Sequence, residues 1–181
     1  GFDAIELGIA SQGVLTHQTT QAECETISEQ ALQHELEISG VASGESWGCS
    51  PTSSDAKVRE TILEFTQKAL QVTQWLGTDA YLFVPGAVDV FFLPEAEVVP
   101  YDVCYDRATQ AISQLLPTAE KLGVSVAVEN VWNKFLLSPL EMRDFIDYFQ
   151  SEKVGAYFDV GNVLLTGYPD QWIRILDSRI K

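Results

Sequence analysis

Between Asp55 and Leu76 the apolar positions Val58, Ile62, Phe65, Ala69, Val72 and Leu76 recur at alternating steps of four and three, the period of one buried helix face. A second helix is predicted from about Tyr101 to Leu122, with Ala108, Ala111, Ile112, Leu115, Ala119 and Leu122 as its inner face and Gly123 placed to close it. A more polar stretch from about Thr20 to Gln33 also reads as helix. Ser138, Pro139 and Glu141 form a helix start, with serine as cap, proline at the first helical position and glutamate reaching back. That helix runs from Pro139 to Phe149, and a last one from about Pro169 to Leu176. Between these lie short apolar runs, Ala4–Ile9, Leu36–Ala42, Tyr81–Val84, Val124–Val128 and Val154–Phe158, each with the length of a buried strand.

Five strands, each followed by a helix, form a strict alternation, and strands apolar on both faces mean a parallel α/β sheet. Two architectures share that pattern: a five-stranded doubly wound open sheet, and a partial (β/α)8 TIM barrel with about five βα units. Both place ligands at the carboxyl ends of the strands. No linker, repeat or low-complexity segment divides residues 1–181, which read as one domain.

Composition narrows the function classes. The chain has 181 residues, 46% of them apolar, enough for a real core at ~150 residues per domain. With 26 acidic and 11 basic residues the net charge is -15, which argues against nucleic acid, because non-specific affinity comes from Lys and Arg neutralising phosphates. There is no apolar run long enough for a spanning helix, so no membrane partner is expected, and no segment patterned as a signal peptide. The three cysteines, Cys24, Cys49 and Cys104, are an odd number at wide spacings; they suggest neither a disulfide framework nor a zinc knuckle, and a cytoplasmic location is expected. The only methionine is Met142, and Gly1 stands inside a phrase that already reads as strand. The start therefore looks trimmed.

Three strand ends carry or abut a carboxylate: Glu6 in AIEL, Glu129 in VAVEN and Asp159 in YFDVGN. A carboxylate ending a buried strand has lost much of its water and needs a metal, a hydrogen-bond network or a basic partner. Glu129 and Asp159 lie on consecutive strands and could share one divalent cation. Oxygen ligands suit Mg2+ or Mn2+, while a set that includes imidazole would admit Co2+ or Zn2+. The alternative is that each acid caps the following helix or pairs with Lys134 or another base. His17 and His34 fall in a loop and near a helix end, and both read as surface imidazoles. Trp47 could wall a sugar pocket or cover the core, and Gly161 with Asn162 could form a simple turn. There is no GxGxxG, P-loop or GxSxG phrase, so nucleotide binding and serine hydrolysis get no support.

In VAVENVWNKFLLSPLEMRDFID and VGAYFDVGNVLLTGYPDQWIRIL, in the opening GFDAIEL and in LFVPGAV, the chain resembles the xylose isomerase-like TIM-barrel superfamily, in its sugar and sugar-phosphate isomerase and epimerase branch. The resemblance implies that the chain holds strands two to six of the barrel. It also implies that one divalent metal (Mn, Mg or Co) is bound by Glu129 and Asp159, and that its two other ligands, a histidine and a glutamate, lie beyond Lys181. The implied reaction is proton transfer next to a ketose carbonyl, with Glu129 as catalytic acid/base. Glu6, Trp47, Asn133 and Asn162 are the expected substrate-binding positions. Family members often have a histidine where Asn162 stands, and the DVGN form resembles pentulose-phosphate 3-epimerases and hexulose-phosphate isomerases more than free-ketose epimerases.

On this reading the 181-residue polypeptide alone has little or no turnover. An opened barrel also exposes strand edges, so a homo-oligomer is expected. A non-catalytic barrel remnant, serving binding or oligomerisation, is the second function class. An endonuclease IV-like enzyme shares the barrel, but two histidines and an acidic surface speak against it.

Overall fold

The computed structural model describes residues 1–181. Five strands, β1 (Ala4–Gly8), β2 (Glu37–Ala42), β3 (Ala80–Phe83), β4 (Ser125–Glu129) and β5 (Val154–Tyr157), form one sheet in the order β1-β2-β3-β4-β5, every pair parallel. The helices between them are α1 (Gln21–Gln33), α2 (Glu45–Gly48), α3 (Ala56–Trp75), α4 (Tyr101–Leu122), α5 (Pro139–Asp147), α6 (Val160–Val163) and α7 (Pro169–Leu176), followed by a 3₁₀ turn over Asp177–Arg179. All the strands and long helices expected from the pattern are present. The one-turn helices α2 and α6 are additions, too short for any period to show.

Alternation within the strands separates two faces. Tyr81, Phe83, Val126, Val128, Val154 and Ala156 join one 33-residue core cluster with the inner faces of the helices, including Ile62, Ala69, Leu115 and Phe145. The other parity places Ala80, Leu82, Ser125, Ala127, Glu129, Gly155 and Tyr157 on the opposite face. Across β1 and β2 the register shifts after Ile5, so that Glu6 comes opposite Gly40. That bulge puts both on the same face as Tyr157.

The two faces are not equivalent, because the sheet curls. Tyr157 on β5 donates its hydroxyl to Glu6 on β1. In a flat sheet those strands would lie about 19 Å apart at ~4.8 Å per step, farther than the two side chains reach. A doubly wound sheet would moreover reverse its strand order at a switch point, and this order is strictly sequential. The open-sheet alternative is thereby excluded, and the sheet is part of a barrel wall. Beyond β5, Ile180 bridges Ala156, and the Lys181 N–H donates to the Ala156 carbonyl at 3.0 Å.

Local signals explain the helix ends. Thr20 and Glu23 form a reciprocal capping box on α1, Asp55 caps α3, and Gly123 adopts the left-handed conformation (φ 72°) that closes α4. Ser138 accepts from the Glu141 N–H as expected, and Pro139 occupies the first turn. Glu141 itself reaches one residue further than a capping box requires: it accepts from the Leu137 N–H at 2.8 Å and from the Tyr101 hydroxyl. Tyr101 competes for the carboxylate and draws it away from the cap.

Candidate active site

Glu129 is the last residue of β4 and pairs in register with Tyr157, the last of β5. Regular pairing ends there, and Asn130 extends it with its side chain. Its amide donates to the Asp159 carbonyl at 2.7 Å and accepts from the Asp159 N–H at 2.7 Å. An asparagine amide has the donor and acceptor of a peptide group, so it replaces one rung of the ladder. The rung fixes the backbone of Asp159 against the strand that carries Glu129.

Asp159 then opens α6, its Oδ1 accepting from the Asn162 N–H at 3.0 Å. The capping alternative thus holds for this acid. Asn162 closes the ring, donating its side-chain amide to the Asn130 carbonyl at 3.0 Å, while its own carbonyl accepts from the Trp132 indole at 3.0 Å. Gly161 and Asn162 therefore lie in a capped helical turn. Lys134 partners neither strand-end acid, because its ammonium pairs with Asp89.

The Glu129 carboxylate has no hydrogen-bond donor of its own. Burial, then the charge of Asp159, then that of Glu6 push its carboxyl up to about 7. No lysine or arginine is paired with Glu129, Asp159 or Glu6. Tyr157 is itself held protonated by burial and by Glu6, the acceptor of its hydroxyl. Gly40 leaves room for that hydroxyl: a Cβ there would lie 2.8 Å from it.

The expected substrate positions divide. Glu6 joins the carboxylate group through Tyr157, and Asn162 borders it. Trp47 lies on α2, packed edge-on against Phe92 at 5.1 Å. Asn133 is 2% exposed and its amide is committed to loop bracing, donating to the Gly86 carbonyl at 2.8 Å and accepting from the Phe135 N–H at 3.1 Å. His34 caps the end of α1, in the exposed setting expected of it. His17 differs from expectation: it packs on Phe65 at 5.2 Å, and its Nδ1 is buried with no partner. Asn130 and Tyr157 were not legible as site residues. Their only sequence signal is a side chain with hydrogen-bonding groups at a strand end, Tyr157 on the parity that carries Glu129 and Asn130 as the residue that follows it.

The donor set suits a hard divalent ion. Glu129 is a half-buried carboxylate without a donor, and Asp159 has a second oxygen free of its cap. No group of three or more His, Cys, Asp or Glu side chains converges on one point, so these residues offer two ligands rather than a closed cage.

The family model described as xylose isomerase-like TIM barrel matches residues 1–181. The chain belongs to that family. An uncharacterized protein of Methanocaldococcus jannaschii, MJ1311, is 23% identical over 180 residues, covering 98% of this chain and 58% of the relative. Among solved structures, a D-psicose 3-epimerase crystallised in the presence of D-fructose superposes with a TM-score of 0.83 at 19% identity, over 99% of this chain and 61% of that one. A D-tagatose 3-epimerase-like protein gives 0.77 at 21% identity, over 99% and 64%. An L-ribulose 3-epimerase gives 0.77 at 17%, over 99% and 58%. The chain thus spans less than two thirds of the length of these relatives, and the structural neighbours are sugar epimerases of the same superfamily.

Proposed function

We propose that the chain carries part of the active site of a metal-dependent sugar or sugar-phosphate isomerase or epimerase, acting by proton transfer next to a ketose carbonyl. The observation that supports this best is the Asn130 rung, which fixes two otherwise unneutralised strand-end carboxylates, Glu129 and Asp159, beside one another. Both would hold one divalent cation as oxygen ligands, with Mn2+, Mg2+ or Co2+ the fitting ions. Such an ion, when bound, polarises the sugar oxygens and stabilises developing enediolate charge.

Glu129 is the proton carrier in this reading. Without the cation, burial and the charges of Asp159 and Glu6 push its carboxyl up to about 7; a bound cation would draw it down and keep the group ionised as the base that accepts the proton. Asp159, fixed by its cap and by Asn130, holds its orientation without rearrangement. Glu6 borders the sugar from β1, its geometry set by the Tyr157 hydroxyl. Asn162 lines the same mouth. Trp47 reaches the substrate only through the rim aromatics that it contacts.

Calorimetric titration of Mn2+ into the protein, repeated with Glu129→Ala and Asp159→Ala, tests the reading. Each variant is expected to weaken binding by about a hundredfold, since even indirect partners of a metal site are worth ~10–100-fold. Unchanged binding in both would overturn it.

The outer edge of β1 has no strand partner, and an open parallel edge favours pairing with another chain. We propose that the 181-residue polypeptide associates with a second copy along such an edge; monodisperse monomer by light scattering would overturn this. All three cysteines are free thiols, two of them buried, which supports a reducing, cytoplasmic setting. No helix is long and apolar enough to cross a membrane.

A further inference from the structure

Trp132 lies in the loop after β4, and its indole N–H donates to the Asn162 carbonyl at 3.0 Å. No backbone N–H donates to that carbonyl, whereas the Gly161 carbonyl accepts from Leu164 and the Val163 carbonyl from Thr166 and Gly167. The indole is therefore the group that satisfies it. Asn162 belongs to α6, which has four residues. A helix of one turn does not hold itself, because nucleation fixes several dihedral angles for each hydrogen bond gained.

α6 is held from outside, and the holding groups come from one short segment. Asn130 bonds the Asp159 backbone at the start of the turn, and its carbonyl accepts from the Asn162 amide. Trp132 takes the Asn162 carbonyl. The loop that follows Glu129 thus grips the turn that begins with Asp159 at both of its ends. Trp132 brings two separable features to this grip. Its ring packs on Phe91 at 5.9 Å but stays 43% exposed, and its N–H is a directed donor.

We propose that Trp132 is a positioning residue for Asp159: its indole N–H keeps the α6 turn closed, and with it the Asp159 carboxylate in the orientation that reaches a divalent cation. This deepens the functional reading above and rests on it for the cation. The effect is one of population. A ligand binds only the fraction of molecules whose site is in place, so a turn that opens more often binds the cation more weakly with both carboxylates unchanged.

Two variants of the 181-residue chain split the donor from the ring. Trp132→Phe keeps a six-membered ring against Phe91 and has no N–H. Trp132→His loses that ring but carries Nε2 at the same place on its five-membered ring as the indole nitrogen, neutral and able to donate at about pH 8. Hydrogen exchange of the Asn162 amide, whose N–H is held by Asp159 Oδ1, reads closure of the turn without any metal. Calorimetric titration of Mn2+ reads the consequence. Trp132→Phe is expected to speed the exchange and to weaken Mn2+ binding by about fivefold each, the worth of roughly one hydrogen bond. Trp132→His is expected to stay within about twofold of the parent in both. Unchanged exchange in Trp132→Phe, or a histidine variant no better than the phenylalanine one, would overturn the proposal by assigning Trp132 to packing alone. So would full Mn2+ affinity in Trp132→Phe while Asp159→Ala loses it. Faster exchange in Trp132→Phe, restored in Trp132→His, while Glu129→Ala and Asp159→Ala leave Mn2+ binding unaltered, supports Trp132 as the holder of Asp159 and removes the metal reading instead.

Discussion

Tyr157 on β5 and Glu6 on β1 share a hydrogen bond across the concave face of the sheet, so its outermost strands meet through the hollow. Gly40, opposite Glu6 on β2, is the residue that leaves space for it. Tyr157→Phe is expected to cost about 1 kcal/mol, the net worth of one hydrogen bond. Gly40→Ala is expected to cost about 1–3 kcal/mol, because the new methyl would sit 2.8 Å from the tyrosine hydroxyl and 3.2 Å from the Ala80 carbonyl. Urea denaturation measures both, and a Gly40→Ala protein as stable as the parent would show that the strap is not under packing constraint.

Glu129 gives the metal-free protein a pH signature. Its carboxyl is raised from 4.5 to about 7 in the fold, so between those values the folded state holds a proton that the unfolded state has released. The stability contributed by this group is therefore fully present below about 4.5 and is lost as pH rises through about 7. Denaturation in the presence of a chelator should show this decline. Glu129→Gln should flatten it and stabilise the fold at pH 8 by about 1–2 kcal/mol, the full shift being discounted because water reaches one side of the group.

The asparagine rung can be separated from the acids that it fixes. Asn130→Ala removes both bonds to the Asp159 backbone and is expected to cost about 2–3 kcal/mol. It should also weaken Mn2+ binding by about 10–100-fold without touching either carboxylate. Thermal unfolding and calorimetry read the two effects. Full Mn2+ affinity in this variant would mean that Asp159 holds its place without the rung.

Lys134 provides a contrast. Its ammonium pairs with Asp89 at a site where the lysine side chain is 62% exposed, and exposed pairs contribute about 0–1 kcal/mol. Lys134→Ala should therefore leave both stability and Mn2+ affinity close to the parent. A large loss of metal affinity, measured by the same titration, would restore Lys134 as a partner of the strand-end acids.

Periodicity made the long elements legible. The steps of four and three in α3, the β-branched run in β4 and the serine-proline start of α5 each reflect a local preference or a repeat, and each element formed where those signals stood. The one-turn helices α2 and α6 have no period to read; α6 exists because Asp159 caps it and Asn130 holds its start. His17 read as a surface imidazole because it falls in a loop, and Phe65, on a distant helix, packs against it.

The sequence by itself determined the alternation of five strands and helices and the placing of Glu6, Glu129 and Asp159 at strand ends, because strand parity and helix period depend on near neighbours alone. It left open whether the sheet lay flat or curled, since both arrangements use the same local pattern. Only the tertiary structure decided that, through a hydrogen bond between residues 151 positions apart. It also decided which side chains brace the acids: Asn130 acts across the pairing of β4 with β5, and Tyr157 on a partner that only the curled sheet brings within reach.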